Sequence, residues 1–218
     1  MENTGTVIKA IEADKYIPSD RSKFEFADYS RMIAAFDQSG LESYGKGSTP
    51  LWYYMLGLAG ETGEFTEKVI DFSFRSWPGL DAIHEMGKEL GDVLWYAIRS
   101  FYKIGVKPYD YLLSVTFDDY QEHVGVPTFS VTHYSQALSA KVGRTVDKVK
   151  KYYRNGQTDV LTFEQELELA RMLAEVVRMI AFCASSLGIK LSDIAAWNVE
   201  KLADRTRRNV IRAEGDNR

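Results

Sequence analysis

The acidic pairs Glu61/Glu64 and Glu89/Asp92 are the residues of this chain whose type and spacing could do chemistry. Each pair is three positions apart, so on an α-helix its two members project from neighbouring points of one face. Spacing alone decides little. With 31 acids among 218 residues, about four such pairs are expected by chance, and the chain has five, the others being Glu25/Asp28, Glu64/Glu67 and Asp119/Glu122. Context separates two of them from a solvated face. Glu61/Glu64 lies in Leu58-Ala59-Gly60-Glu61-Thr62-Gly63-Glu64 and Glu89/Asp92 in Glu89-Leu90-Gly91-Asp92-Val93-Leu94-Trp95-Tyr96, both bordered by apolar residues. Glycine within a helix costs up to ~1 kcal/mol relative to alanine, so its presence in both segments implies close helix approach or room for a ligand.

If the two pairs face each other with all four groups ionised, unit charges ~4 Å apart repel by roughly 4 kcal/mol at an effective dielectric of about 20, several times over. Such a cluster must take up protons or cations. Clustered hard oxygen ligands suit Mg²⁺ or Mn²⁺, which in turn suit the bridging of phosphate oxygens and the activation of water. Hydrolysis of a phosphoanhydride is the natural chemistry. The three histidines, His84, His123 and His133, share no ligand spacing. Cys183 is the only cysteine, which excludes an internal disulfide or a cysteine metal cluster, and its place on Met179-Ile180-Ala181-Phe182 reads as core.

The elements that must position these acids are helices. A first helix is expected over 26–37, with Tyr29, Met32, Ile33 and Phe36 at helical spacing, broken by the stretch 40–50. A second runs from near Leu51 to about Phe74, ended by Trp77-Pro78-Gly79. The third has the clearest pattern: Leu90, Val93, Leu94, Ala97, Ile98 and Phe101 recur at three- and four-residue steps, and Gly105 closes it. Further helices are expected over 109–123, 131–153, 163–187 and 191–208, and residues 1–23 read as an arm or a pair of short elements. The fold class is therefore all-α, a helical bundle whose facing helices can point side chains into a shared interior site.

Composition narrows the partners. With 45% hydrophobic and 27% charged residues the chain can bury an ample core, as one domain or two fused units. A net charge of −4 supplies no general field for DNA or RNA. The polar, acidic start and the lack of an apolar run near ~18 residues suggest no membrane partner and a soluble, cytoplasmic protein. A homo-oligomer is compatible with the sequence.

The chain also overlays on itself. At an offset of 80, residues 58–69 fall on 138–149, matching Leu58, Gly63, Lys68 and Val69 to Leu138, Gly143, Lys148 and Val149. At an offset of 83, residues 89–107 fall on 172–190, matching Leu90, Val93, Gly105 and Lys107 to Leu173, Val176, Gly188 and Lys190. This is the pattern of an internal duplication.

The two acidic segments, E-x-x-E and E-x-x-D separated by the 24 residues 65–88, resemble the signature of the MazG-like all-α nucleoside triphosphate pyrophosphohydrolases, relatives of the dimeric dUTPases. The likeness extends to wording, through Gly57-Leu58-Ala59-Gly60-Glu61-Thr62-Gly63-Glu64 and Lys88-Glu89-Leu90-Gly91-Asp92-Val93-Leu94-Trp95-Tyr96, and covers about 26–111. It implies that Glu61, Glu64, Glu89 and Asp92 bind Mg²⁺ and that a water hydrolyses a nucleoside triphosphate, NTP or dNTP, to the monophosphate and pyrophosphate. Trp52, Tyr53, Trp95 and Tyr96 are near enough in sequence to the acids to stack a base, with core packing as the alternative for each.

The second half resembles the family elsewhere, in Val146-Asp147-Lys148-Val149-Lys150-Lys151-Tyr152-Tyr153-Arg154 and in the C-terminal Asn198, Lys201-Leu202-Ala203-Asp204-Arg205 and the tail 211–218. Its acids are gone: Glu61, Glu64, Glu89 and Asp92 overlay on Lys141, Arg144, Met172 and Glu175. The resulting expectation is an arm (1–23), a catalytic half (24–127) and a degenerate half (128–218), in which Lys148, Lys151 and Arg154 supply cations to the phosphates. For these, as for Arg205, Arg207, Arg208 and Arg212, a solvated basic face is the alternative. A dUTPase-like enzyme specific for dUTP and a non-catalytic nucleotide-binding bundle remain open beside the broader activity.

Overall fold

A computed structural model describes residues 8–36, 49–74, 79–156 and 160–209. The expected breaks at 40–48 and Trp77-Pro78, the residue Asp37, the start of the chain and the tail with Arg212 lie outside them. The described residues contain eight α-helices and no strand, so the protein is all-α. They are α1 (Phe26–Ala34), α2 (Leu51–Ser73), α3 (Leu80–Lys103), α4 (Tyr109–Leu112), α5 (Phe117–Val124), α6 (Val131–Arg154), α7 (Phe163–Ser186) and α8 (Leu191–Arg207).

Four long helices make the bundle. α2 lies against α3 and α6, α7 lies against α6 and α3, and α8 crosses α3. The α3 periodicity is the reason: Leu90, Val93, Leu94, Ala97, Ile98 and Phe101 are all fully buried. Each large apolar side chain among them contributes roughly 1.5–3 kcal/mol relative to exposure. On α7, Leu169, Leu173, Val176, Val177 and Ile180 form the matching stripe, and Met172 is half-buried beside it. Ends are set locally. Thr162 and Gln165 form a reciprocal capping box at the start of α7, Ser130 caps α6, and Gly105 and Gly188 stop α3 and α7 at φ values of 76° and 70°, which favour glycine.

The structure corrects one expected helix. The segment 109–123 divides into α4 and α5 because Leu113 turns left-handed at φ 57° and the chain after it pairs with the segment before α1. There Phe26 N donates to Val115 O (3.1 Å) and Phe117 N donates to Phe24 O (3.0 Å), hydrogen bonds that an unbroken helix could not make. The aromatic pattern pulls the same way: Phe24, Phe26, Tyr29 and Phe117 meet in one fully buried cluster.

The N-terminal segment forms two short 3₁₀ turns, Ala10–Tyr16 and Arg21–Lys23. It is joined to the bundle: Ala13 is fully buried, Arg21 reaches Asp193 (3.0 Å) and Glu200 (2.7 Å) on α8, and Arg207 reaches Asp14 (2.9 Å). Cys183 is buried, and desolvation pushes its thiol well above the ordinary range. Among the described residues no single helix is long and apolar enough to cross a membrane.

Candidate metal centre

α2 and α3 run antiparallel, since Glu61 meets Asp92 while Lys68, two turns on, meets Glu85 and Glu89. Glu61, Glu89 and Asp92 each offer a carboxylate oxygen within 4.8 Å of the others. Glu64 stands apart. Three residues advance a helix by ~300°, which turns Glu64 about 60° round α2 from Glu61 and leaves it exposed at the rim. The remaining acidic pairs contribute nothing here, with Glu67, Asp119 and Glu122 exposed.

Electrostatics divide the three acids. Glu89 is 5% exposed and takes Lys68 Nζ at 2.8 Å. Asp92 accepts from Asn198 Nδ2 at 2.8 Å through Oδ1 and pairs with Lys201 through Oδ2. Asn198 is itself held by the hydroxyl of the buried Tyr29, which donates to its Oδ1 at 2.9 Å. That bond fixes the amide so that its NH₂ faces Asp92. Among the described residues Glu61 has no hydrogen-bond or ion-pair partner. Burial first, then Asp92, Glu64 and Glu89, push its carboxyl up to about 8 against the pull of Lys201.

The glycines noted in the sequence sort by what they face. An alanine Cβ at Gly57 would lie 2.1 Å from Tyr96 Cε1, so the Tyr96 ring rests directly on the α2 backbone. Gly91 admits α8, with Asn198 Cβ 3.1 Å from such a Cβ. Gly60 and Gly63, which flank Glu61, face open space. Tyr96 thus stands one turn from Asp92 on its own helix and one turn from Glu61 on the next.

The aromatic residues expected near the acids do meet. Trp95 and Tyr96 have ring centroids 4.7 Å apart, Tyr53 and Tyr96 6.4 Å, Trp52 and Tyr53 6.5 Å. Trp95 and Tyr96 also pack against the core, so both expected roles are compatible with their placement. Glu61 and Asp92 are close enough to Tyr96 to add to the burial that raises its hydroxyl.

Of the basic residues expected to serve the site, Lys148 and Lys151 are paired elsewhere. Lys148 pairs with Glu168 (2.6 Å), Lys151 pairs with Asp147 (2.6 Å), and Arg154 is exposed at the end of α6. Arg207 and Arg208 pair with Asp14 and Asp204. Among the described residues the cations at the acids are Lys68 and Lys201, neither of which is among the cations expected there from the sequence. A signal existed: Asn198 and Lys201 are three apart on α8, the spacing of the acidic pairs themselves.

Fold and site together define the class: an all-α bundle carrying a half-buried cluster of three carboxylates braced by two lysines and an asparagine. The Gene 37 protein of Mycobacterium phage L5 is 33% identical to this chain over 88 residues, 40% of this chain and 76% of that protein. The chain belongs to the same family as that phage protein. No protein-family profile matches the chain, and no solved structure matches it.

Proposed function

We propose that the protein is a metal-dependent nucleoside triphosphate pyrophosphohydrolase of the MazG-like kind, with its centre at Glu61, Glu89 and Asp92 and with Glu64 at the rim. The observation that carries the reading is the convergence of three carboxylate oxygens within 4.8 Å, one of them on Glu61, whose carboxyl is pushed up to about 8 by burial and by the neighbouring acids. Hard donors at that separation fit Mg²⁺ or Mn²⁺, and a cation bound there would acidify a water and draw charge from phosphate oxygens. The residues of the chain do the rest. Lys68 and Lys201 place positive charge beside the acids, where the anionic oxygens of a triphosphate need it. Asn198 holds Asp92 in orientation, and the Tyr96 ring, backed by Trp95, offers an apolar face for a base. In the reaction water adds to the α-phosphorus, the bond from that phosphorus to the α–β bridging oxygen breaks, and pyrophosphate leaves.

A second reading has one observation in its favour. Lys68 and Lys201 already neutralise two of the three acids, as they would in a bundle that binds nucleotide without hydrolysing it. Incubation with mixed NTPs and dNTPs, dUTP among them, with Mg²⁺ separates the readings: pyrophosphate and monophosphate in equal amounts support the enzyme. Binding without product supports the alternative, and turnover of dUTP alone narrows the substrate.

A further inference from the structure

We propose that Lys201, together with Lys68, is a resident counter-ion of the acid cluster, holding it when no metal is bound and yielding its place when one enters; this rests on the metal-site reading above. Both oxygens of Asp92 are committed, Oδ1 to Asn198 and Oδ2 to Lys201. The Lys201 and Asp92 side chains are each only 17% exposed, so this is a shielded pair. It is also a built one. Lys201 arrives from the far end of the sequence on α8, which is fixed over the site by Arg21 on Asp193 and Glu200, by Tyr29 on Asn198, and by the absence of a side chain at Gly91.

The lysines are distributed unevenly, and the unevenness has a consequence. Both sit on the α3 acids, while Glu61 on α2 has no ion pair among the described residues and feels Lys201 only from a distance. An ammonium and a divalent cation on one carboxylate oxygen repel strongly in a half-buried setting, so coordination through Asp92 Oδ2 requires Lys201 to leave. Asn198 has no charge to lose and keeps Oδ1, which preserves the orientation of the carboxylate. The second segment contains the same device in fixed form: Lys141, at the position overlaid on Glu61, pairs at 3.1 Å with Glu175, at the position overlaid on Asp92. There the charge that a cation would bring is built into the chain.

Mn²⁺ titrated calorimetrically into the full chain, without nucleotide, tests the exchange. Lys201→Met should bind Mn²⁺ at least tenfold more tightly than the wild type, Lys68→Met should also tighten it, and Lys201→Arg, which keeps the charge, should stay within threefold. Lys190→Met, whose partner is Asp118, controls for net charge and should change little. Equal or weaker binding by Lys201→Met overturns the proposal. Should that variant lose its helical circular dichroism, the ¹⁵N signals of the lysine ammonium groups in the wild type decide: Mg²⁺ should move the Lys201 signal towards that of a free lysine, and an unmoved signal overturns the exchange. Wild-type protein that binds no Mn²⁺ overturns the metal-site reading itself, a result distinct from equal affinities.

Discussion

Lys141 and Glu175 form a 3.1 Å ion pair at the positions that the internal overlay matches to Glu61 and Asp92. Like charges converge in the first segment; opposite charges cancel in the second. The first prediction follows from this contrast. Glu175→Gln should leave turnover within about threefold, because the pair is more than a third exposed and such pairs contribute about 0–1 kcal/mol to stability. Asp92→Asn should lower kcat by roughly 100-fold or more with the helical fold retained. Steady-state kinetics on the two variants check this, and equal losses would remove the distinction between the segments.

The fold was legible where burial repeats with helical period. The α3 stripe from Leu90 to Phe101 reads directly as a helix face because every one of those side chains goes into the core. The break between α4 and α5 was not, because it is enforced from a distance: the 115–117 backbone bonds to a segment about ninety residues earlier. The acids of the site were legible for their apolar, glycine-bearing surroundings. The place of Lys201 and Asn198 in it is not legible, since nothing local to α8 says which helix it crosses. That choice is made by Gly91 on α3 and by Tyr29 on α1.

The second prediction concerns pH. The Glu61 carboxyl lies at about 8, above its ordinary value of 4.5, so the fold favours its neutral form. That contribution is complete below the ordinary value and is lost as pH rises through about 8. Metal-free protein should therefore lose thermal stability between about pH 5 and about pH 9, and Glu61→Gln, which cannot ionise, should flatten the slope. Mg²⁺ competes with the same proton, so it should raise the melting temperature more at the alkaline end. Thermal melts of both proteins with and without Mg²⁺ measure this; a wild-type slope matching that of the variant would refute the assignment of the shift to Glu61.

The third prediction uses the glycines. Gly57→Ala should destabilise the protein by about 1–3 kcal/mol and lower turnover, because its Cβ would fall 2.1 Å from Tyr96 Cε1 and force that ring off α2. Gly60→Ala, facing open space on the same helix, should stabilise by up to ~1 kcal/mol through helix propensity alone. Urea denaturation distinguishes the two, and the same sign for both would contradict the packing of Tyr96 on α2.

The fourth prediction tests the brace on Asp92. Tyr29→Phe removes the donor to the buried Asn198 Oδ1 and should cost about 1–3 kcal/mol of stability. It should also weaken Mg²⁺ binding severalfold, because Asn198 no longer has a fixed orientation towards Asp92. Calorimetric Mg²⁺ titration beside urea denaturation checks both effects; a stability loss with unchanged metal affinity would make Tyr29 a core residue only.

The central claim is that the three converging carboxylates serve hydrolysis of a nucleoside triphosphate, and product analysis tests it most directly. Purified protein incubated with a panel of NTPs and dNTPs in Mg²⁺ should release pyrophosphate and nucleoside monophosphate in equal amounts from at least one of them. EDTA should abolish the release, and so should Glu61→Gln. Turnover undiminished by EDTA, release of single phosphates in place of pyrophosphate, or full activity in Glu61→Gln would contradict the account.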